Sequence, residues 1–258
     1  MFFDEINLAT PLVVSSCYKI IYDRIVNDTK INDNWLILGC GNKSSDNAAT
    51  HDVSPPLRDR GGEVELTFNT EHWINWAILP ENNMCSEIIG YLSFKSGDLY
   101  KFIADDEQKY TTPRGWARVN TLIKDIVLTK NYDLMRMIVC SAIGEGIGSE
   151  FVSYCKIKEQ INLPELIKNP KKIADIAEKD ISIKFFVSTA VAEQYKDKKI
   201  TFDKVLEVSK VLDSIKNAEL VAYLWKLCSG YNAKKFKDDF VKKVDTAFAE
   251  KYGKYIIA

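Results

Sequence analysis

From Glu71 to the end of the chain, stretch after stretch carries apolar residues at helical spacing, and helices packed on one another are the structure that buries such a pattern. EHWINWAIL follows Thr70, which predicts an N-cap, and SEIIGYLSF is a second helical piece. The clearest helix is TTPRGWARVNTLIKDIV: Thr112 can cap it, Pro113 takes the first helical position, and Trp116, Val119, Leu122, Ile123 and Ile126 share a face. Asn169 and Pro170 repeat this start before KKIADIAEK. Val205, Val208, Val211, Leu212 and Ile215 predict one further amphipathic helix, and Phe236, Phe240, Val244 and Phe248 another.

The first 70 residues read differently, as alternating strands and helices, which is an α/β signature. MFF reads as a strand end, LVVSSCYKIIYDRIV as a helix, and WLILGC (Trp35 to Cys40) as a short buried strand. VELTF (Val64 to Phe68) is a third strand candidate, after a loop marked by Pro-Pro and Gly-Gly. The expectation is a parallel sheet of about three strands over residues 1–70, followed from Glu71 by a long all-helical part. With 258 residues, 46% of them hydrophobic, the chain has the material for a core.

Formal net charge is −1, but residues 1–155 carry 14 basic and 21 acidic side chains against 21 and 15 in residues 156–258. The C-terminal lysines are interspersed with acids on helix faces, so a solvated surface is the expectation and nucleic acid is not. All six arginines (Arg24, Arg58, Arg60, Arg114, Arg118, Arg136) fall in the first part, where fork-shaped anion contacts are to be sought. Six cysteines without a CxxC pair or a histidine at ligand spacing point to reduced thiols rather than a zinc site or a disulfide framework. There is no run of 18 apolar residues and no charged leader followed by an apolar run, which makes a cytoplasmic protein without membrane contact the expectation.

Four groups of residues could carry chemistry. Asp4 and Glu5 follow an apolar strand end, which puts them at the carboxyl edge of a sheet, where open α/β folds bind ligands. One carboxylate there can hold Mg2+, commonly through water, and its neighbour can polarise an attacking water; adjacent acids at a loop start are also often merely solvated. Asn42 reaches the same edge if the strand ending in Cys40 lies parallel to MFF, although Gly41-Asn42 equally suits a turn. Arg58 and Arg60 lie in a Gly-flanked loop suited to phosphate charge. Arg114 lies in the first turn of its helix, where backbone donors favour an anion.

In this order the segments resemble those of the MoxR-like AAA+ ATPases. FFDEINLA is similar to that family's Walker B segment, GCGNKSSDNA to sensor 1, SPPLRDR to the arginine-finger loop and TTPRGW to sensor 2; the likeness continues through SAIGEGIGSEFVSY and NPKKIADI. It implies a partial AAA+ α/β core over 1–70, a helical lid over 71–155 and a C-terminal helical extension over 156–258. It implies ATP and Mg2+ as cofactors, Asp4 in the magnesium shell, Glu5 activating water and Asn42 placing that water. Arg60 would be the finger reaching the γ-phosphate of a neighbouring subunit, and Arg114 the lid arginine on the nucleotide. Ring assembly, such as a hexamer, remodelling of a partner protein, and a von Willebrand factor A-type partner follow from the same resemblance.

Two departures qualify it. Gly61 and Gly62 follow Arg60 where the family has an aromatic residue, which leaves Arg58 as a rival finger. The sequence also contains no GxxxxGK[ST] segment, the source of the main grip on β- and γ-phosphates. GCGNKSSD lacks the spacing, and the glycines of SAIGEGIGSEF suit close helix packing better than a phosphate cradle. In the family's sheet the strand leading into the P-loop lies between the strand ending at Asn42 and the one beginning near Val64. MFFDE therefore reads as a start inside an interrupted domain, inactive alone: either the sequence is a fragment or split product, or a separate polypeptide supplies the P-loop half. The rival reading is a noncatalytic helical interaction protein with a degenerate core. A two-carboxylate metal hydrolase is the weakest reading, because His51 and His72 are isolated.

Overall fold

The computed structural model describes residues 1–43, 51–59, 61–101, 111–177 and 181–253. They divide into two compact units, residues 1–67 and residues 68–253.

In the first unit, β1 (Phe2–Phe3) is followed by α1 (Pro11–Tyr18), whose last turn widens into a π-helical stretch, Lys19–Asp23. Arg24 ends that stretch in the left-handed region, at φ 57°. A small antiparallel hairpin follows, β2 (Ile25–Val26) with β3 (Thr29–Lys30), turned at Asn27 with φ 52°. Asparagine tolerates that conformation, so Asn27-Asp28 is the turn signal that reading the stretch as one long helix passed over. Then β4 (Leu38–Gly39) lies parallel to β1, with Phe2 opposite Leu38 and Phe3 opposite Gly39. Only these two residues of Trp35 to Cys40 form a strand, and Trp35 and Leu36 are exposed. The expected third strand at Val64 to Phe68 does not form: the sheet of β1 has two strands, and Val64 and Leu66 are 82% and 93% exposed. A strand needs a neighbour to take its backbone hydrogen bonds. Among the described residues this segment has none, although Glu65 forms an ion pair with Lys43 beyond β4. After α2 (Pro55–Arg58), the unit buries only Asn7 and Val14 among its described residues.

The second unit is helical throughout, apart from one isolated bridge between Lys101 and Thr111. It opens with α3 (Thr70–Ala77), where the cap is Asn69 rather than Thr70: Asn69 Oδ1 accepts from the His72 amide at 3.1 Å. Thr70, freed from capping, donates its hydroxyl to the Ser96 carbonyl. Next comes α4 (Ser86–Phe94), buried from Ser86 to Leu92, which marks it as the central helix of the unit. Thr112 caps α5 (Pro113–Thr129) as expected, accepting from the Gly115 amide at 3.0 Å. Trp116, Val119, Ile123 and Ile126 are buried there, but Leu122 lies on the outer flank and is 44% exposed.

Hairpin partners α6 (Tyr132–Ile143) and α7 (Glu145–Gln160) are separated by Gly144 alone, at φ 89°. Their close approach is set by Gly148, where an added Cβ would sit 2.9 Å from Cys140 Cα and 3.0 Å from Cys140 N. The glycine run is thus helix packing in part, since Gly146 faces open space. Gly148→Ala is expected to push α7 off α6 at a cost of about 1–3 kcal/mol. Gly146→Ala, in the first turn of α7, should instead stabilise by about 0.4–1 kcal/mol, because alanine lowers the entropy of the unfolded chain and meets no clash here. Thermal or urea unfolding of the two variants checks the opposite signs.

The remaining helices are α8 (Leu163–Lys168), α9 (Lys172–Ala177), α10 (Ile181–Lys196), α11 (Phe202–Ser214), α12 (Ala218–Tyr231), α13 (Ala233–Lys243) and α14 (Thr246–Tyr252). Pro170 sits in the turn before α9 rather than at its first position. Val205, Val208 and Leu212 bury one face of α11, while Val211 and Ile215 are partly buried against the core. Phe236 to Phe248 is two helices rather than one, because Asp245 Oδ1 accepts from the Phe248 amide and begins α14. Long α10 packs against α4, α7 and α12, so helices before and after position 155 share one core. No helix among the described residues is long and apolar enough to cross a membrane.

Candidate functional site

The carboxyl ends of β1 and β4 leave the sheet side by side. Cys40 N donates to the Phe3 carbonyl at 2.9 Å and Ile6 N to the Cys40 carbonyl at 2.9 Å, which carries the pairing past both strands. Asp4 and Glu5 are thereby brought to the same edge as Cys40, Gly41 and Asn42, all of them exposed. This is the juxtaposition that the two apolar runs predicted on condition of parallel pairing.

Asp4 Oδ1 accepts from Cys40 Sγ at 3.0 Å. That bond is the main reason the Cys40 thiol is held above its ordinary pKa, since the proton it shares with a carboxylate is harder to remove. Cys40 is therefore a neutral donor at this edge and not a thiolate nucleophile. Glu5 adopts φ 51°, a left-handed conformation that costs a non-glycine residue on the order of 1–2 kcal/mol. Such departures cluster where a side chain must be aimed. The turn is closed by the Leu8 amide donating to the Glu5 carbonyl at 2.9 Å.

Asn7 is the residue that sequence reasoning missed here. Its Nδ2 donates to the Asn42 carbonyl at 2.6 Å, while its Oδ1 is buried without a partner. One neutral hydrogen bond contributes about 1 kcal/mol, and an orphaned buried acceptor costs about 1–3 kcal/mol, so the carboxamide is not explained by stability. The available signal was the asparagine in a turn directly after a strand, a position from which its side chain can bond to neighbouring backbone.

The arginines divide. Arg58, at the end of α2, forms a surface ion pair with Glu63 at 3.4 Å, a contact worth about 0–1 kcal/mol. Arg60 lies outside the described residues. Arg114 stands exposed in the first turn of α5, belongs to the helical unit, and makes no ion pair among the described residues. His51 and His72 are both exposed, and no group of three metal-ligating side chains occurs among the described residues. On the helical unit, lysines of the basic C-terminal part meet acids: Lys210 with Asp245, Lys243 with Asp203, Lys251 with Asp213, and Lys226 with Glu71.

Comparison of the chain with protein-family models, curated proteins and solved structures finds no match.

Proposed function

We propose that this chain is the part of a MoxR-like AAA+ ATPase from the Walker B segment onward, which couples ATP hydrolysis to remodelling of a partner protein. The observation that carries the reading is the parallel pairing of β1 with β4, which brings Asp4, Glu5 and Asn42 out at one edge. Asp4 is an exposed carboxylate held only by a thiol among the described residues, which suits a magnesium ion that keeps most of its waters and differs from a closed protein cage. Such an ion would supply neutralisation of charge on the nucleotide's phosphate oxygens. Glu5 then takes the proton of the attacking water, and Asn42 orients that water. Arg60 acts on a neighbouring subunit's nucleotide in a ring, with Arg58 as its rival, and Arg114 binds phosphate charge from the lid. The grip on the β- and γ-phosphates comes from a polypeptide segment outside these 258 residues, and a von Willebrand factor A-type protein is the proposed partner.

A second reading is favoured by a different observation: the extended core belongs to the helical unit, while residues 1–67 bury only Asn7 and Val14 among those described. In that reading the chain is a noncatalytic interaction protein. Nucleotide binding and Mg2+-dependent ATP hydrolysis, measured on this chain alone and after addition of a P-loop polypeptide, separate the two. Turnover only in the mixture supports the ATPase; absence of nucleotide binding in both supports the interaction protein.

A further inference from the structure

Asn7 reaches from the turn that carries Asp4 and Glu5 to the end of the neighbouring strand. It is 8% exposed, its Nδ2 holds the Asn42 carbonyl at 2.6 Å, and its own carbonyl accepts from the His51 amide at 2.8 Å. The contact depends on Gly41: a Cβ there would stand 2.1 Å from Asn7 Oδ1 and 2.7 Å from Asn7 Cγ, so any other residue displaces the carboxamide. One side chain thus spans the two strand exits, and the backbone beside it is bare where it must pass.

We infer that Asn7 is a positioning residue, a strut that fixes the Asn42 backbone, and hence the direction in which the Asn42 side chain leaves the segment after β4, against the turn bearing Asp4 and Glu5. The inference rests on the reading of this edge as the hydrolytic site. It assigns Asn7 no contact with the reacting atoms. The strut acts through a donated hydrogen bond, which a side chain that merely fills space would not need.

That difference is the test. In amide NMR spectra of the full 15N-labelled chain, Asn7→Ala should shift the Gly41 and Asn42 resonances, Gly41→Ala should shift that of Asn42, and both should leave those of the helical unit in place. Asn7→Asp keeps the shape but presents an ionised acceptor to the Asn42 carbonyl at neutral pH, so it should show the same displacement. Below the ordinary carboxyl range of about 4, the protonated acid can donate again, and the wild-type pattern should return. Wild type titrated in parallel accounts for Asp4, Glu5, Cys40, Lys43, His51 and Asp52, the ionisable groups of the segments packed around Asn7, and for Glu65, which pairs with Lys43. If Asn7→Ala unfolds the first unit, the isosteric Asn7→Asp decides alone. Gly41 and Asn42 resonances that stay in place, or a displacement that acid does not reverse, would overturn the role.

Mn2+ added to the wild type tests the underlying reading separately. Selective broadening of the Asp4, Glu5 and Asn42 amides supports a metal-binding edge. No broadening counts against that reading while leaving the carboxamide result to decide the role of Asn7.

Discussion

Alanine in place of Trp225 is expected to destabilise the helical unit by about 3–5 kcal/mol, the range for truncating a fully buried tryptophan. Trp225 lies on α12 with no exposed surface, and its ring meets Phe240, Phe248 and Tyr252 at centroid distances of 5.2, 5.4 and 5.6 Å, so α13 and α14 are both packed on it. These are tilted, near edge-on contacts, the arrangement in which aromatic pairs add to what burial alone contributes. Its Nε1 also donates to Ser209 Oγ at 2.8 Å, inside the core beside α11. A single truncation therefore loosens four helices and removes a donor from a buried hydroxyl. Against a typical stability of about 5–15 kcal/mol, the loss is large enough to move a urea midpoint clearly. Trp76, 43% exposed and packed on Trp73, is the comparison, and its alanine variant should lose clearly less stability than Trp225→Ala. Equal effects at the two positions would mean that Trp225 does not organise these helices.

If the proposed ATPase function holds, Glu5→Gln in the assembly of this chain with a P-loop polypeptide is expected to reduce turnover by about 10²–10⁴-fold, the contribution of a positioned general base, while nucleotide stays bound. The carboxamide preserves size and one acceptor oxygen but does not take up a proton from water. The φ of 51° belongs to the backbone turn, so the substitution leaves the side chain's point of departure unchanged. Bound ATP that is not hydrolysed is the expected signature. Wild-type turnover in that variant would remove Glu5 from the chemistry and leave Asp4 and Asn42 without a hydrolytic role.

Which residues would be helical was largely legible, because helix propensity, capping and apolar spacing are local. Thr112 followed by Pro113 gave the start of α5 correctly, and the apolar face of Val205, Val208 and Leu212 gave α11. The misreadings fall where two local solutions compete. Thr70 and Asn69 are both competent caps, and the choice of Asn69 frees Thr70 to bond Ser96, a residue 26 positions away. Phe236 to Phe248 keeps one apolar spacing through two helices, and only the cap at Asp245 marks the break.

At the candidate site the sequence determined which chemical groups are available: two adjacent carboxylates after an apolar run, and a Gly-Asn pair after another. Their meeting was decided by strand pairing, since β1 and β4 set residues 36 positions apart opposite one another and nothing in either run specifies its partner. The same dependence explains why Val64 to Phe68, apolar enough for a strand, is not one: a strand is completed by a neighbour, and a helix by itself. The role of Asn7 belongs to this second class. Its residue type is read directly from the chain, but its burial, its bond to Asn42 and its fit against Gly41 exist only once the two strand ends have been brought together.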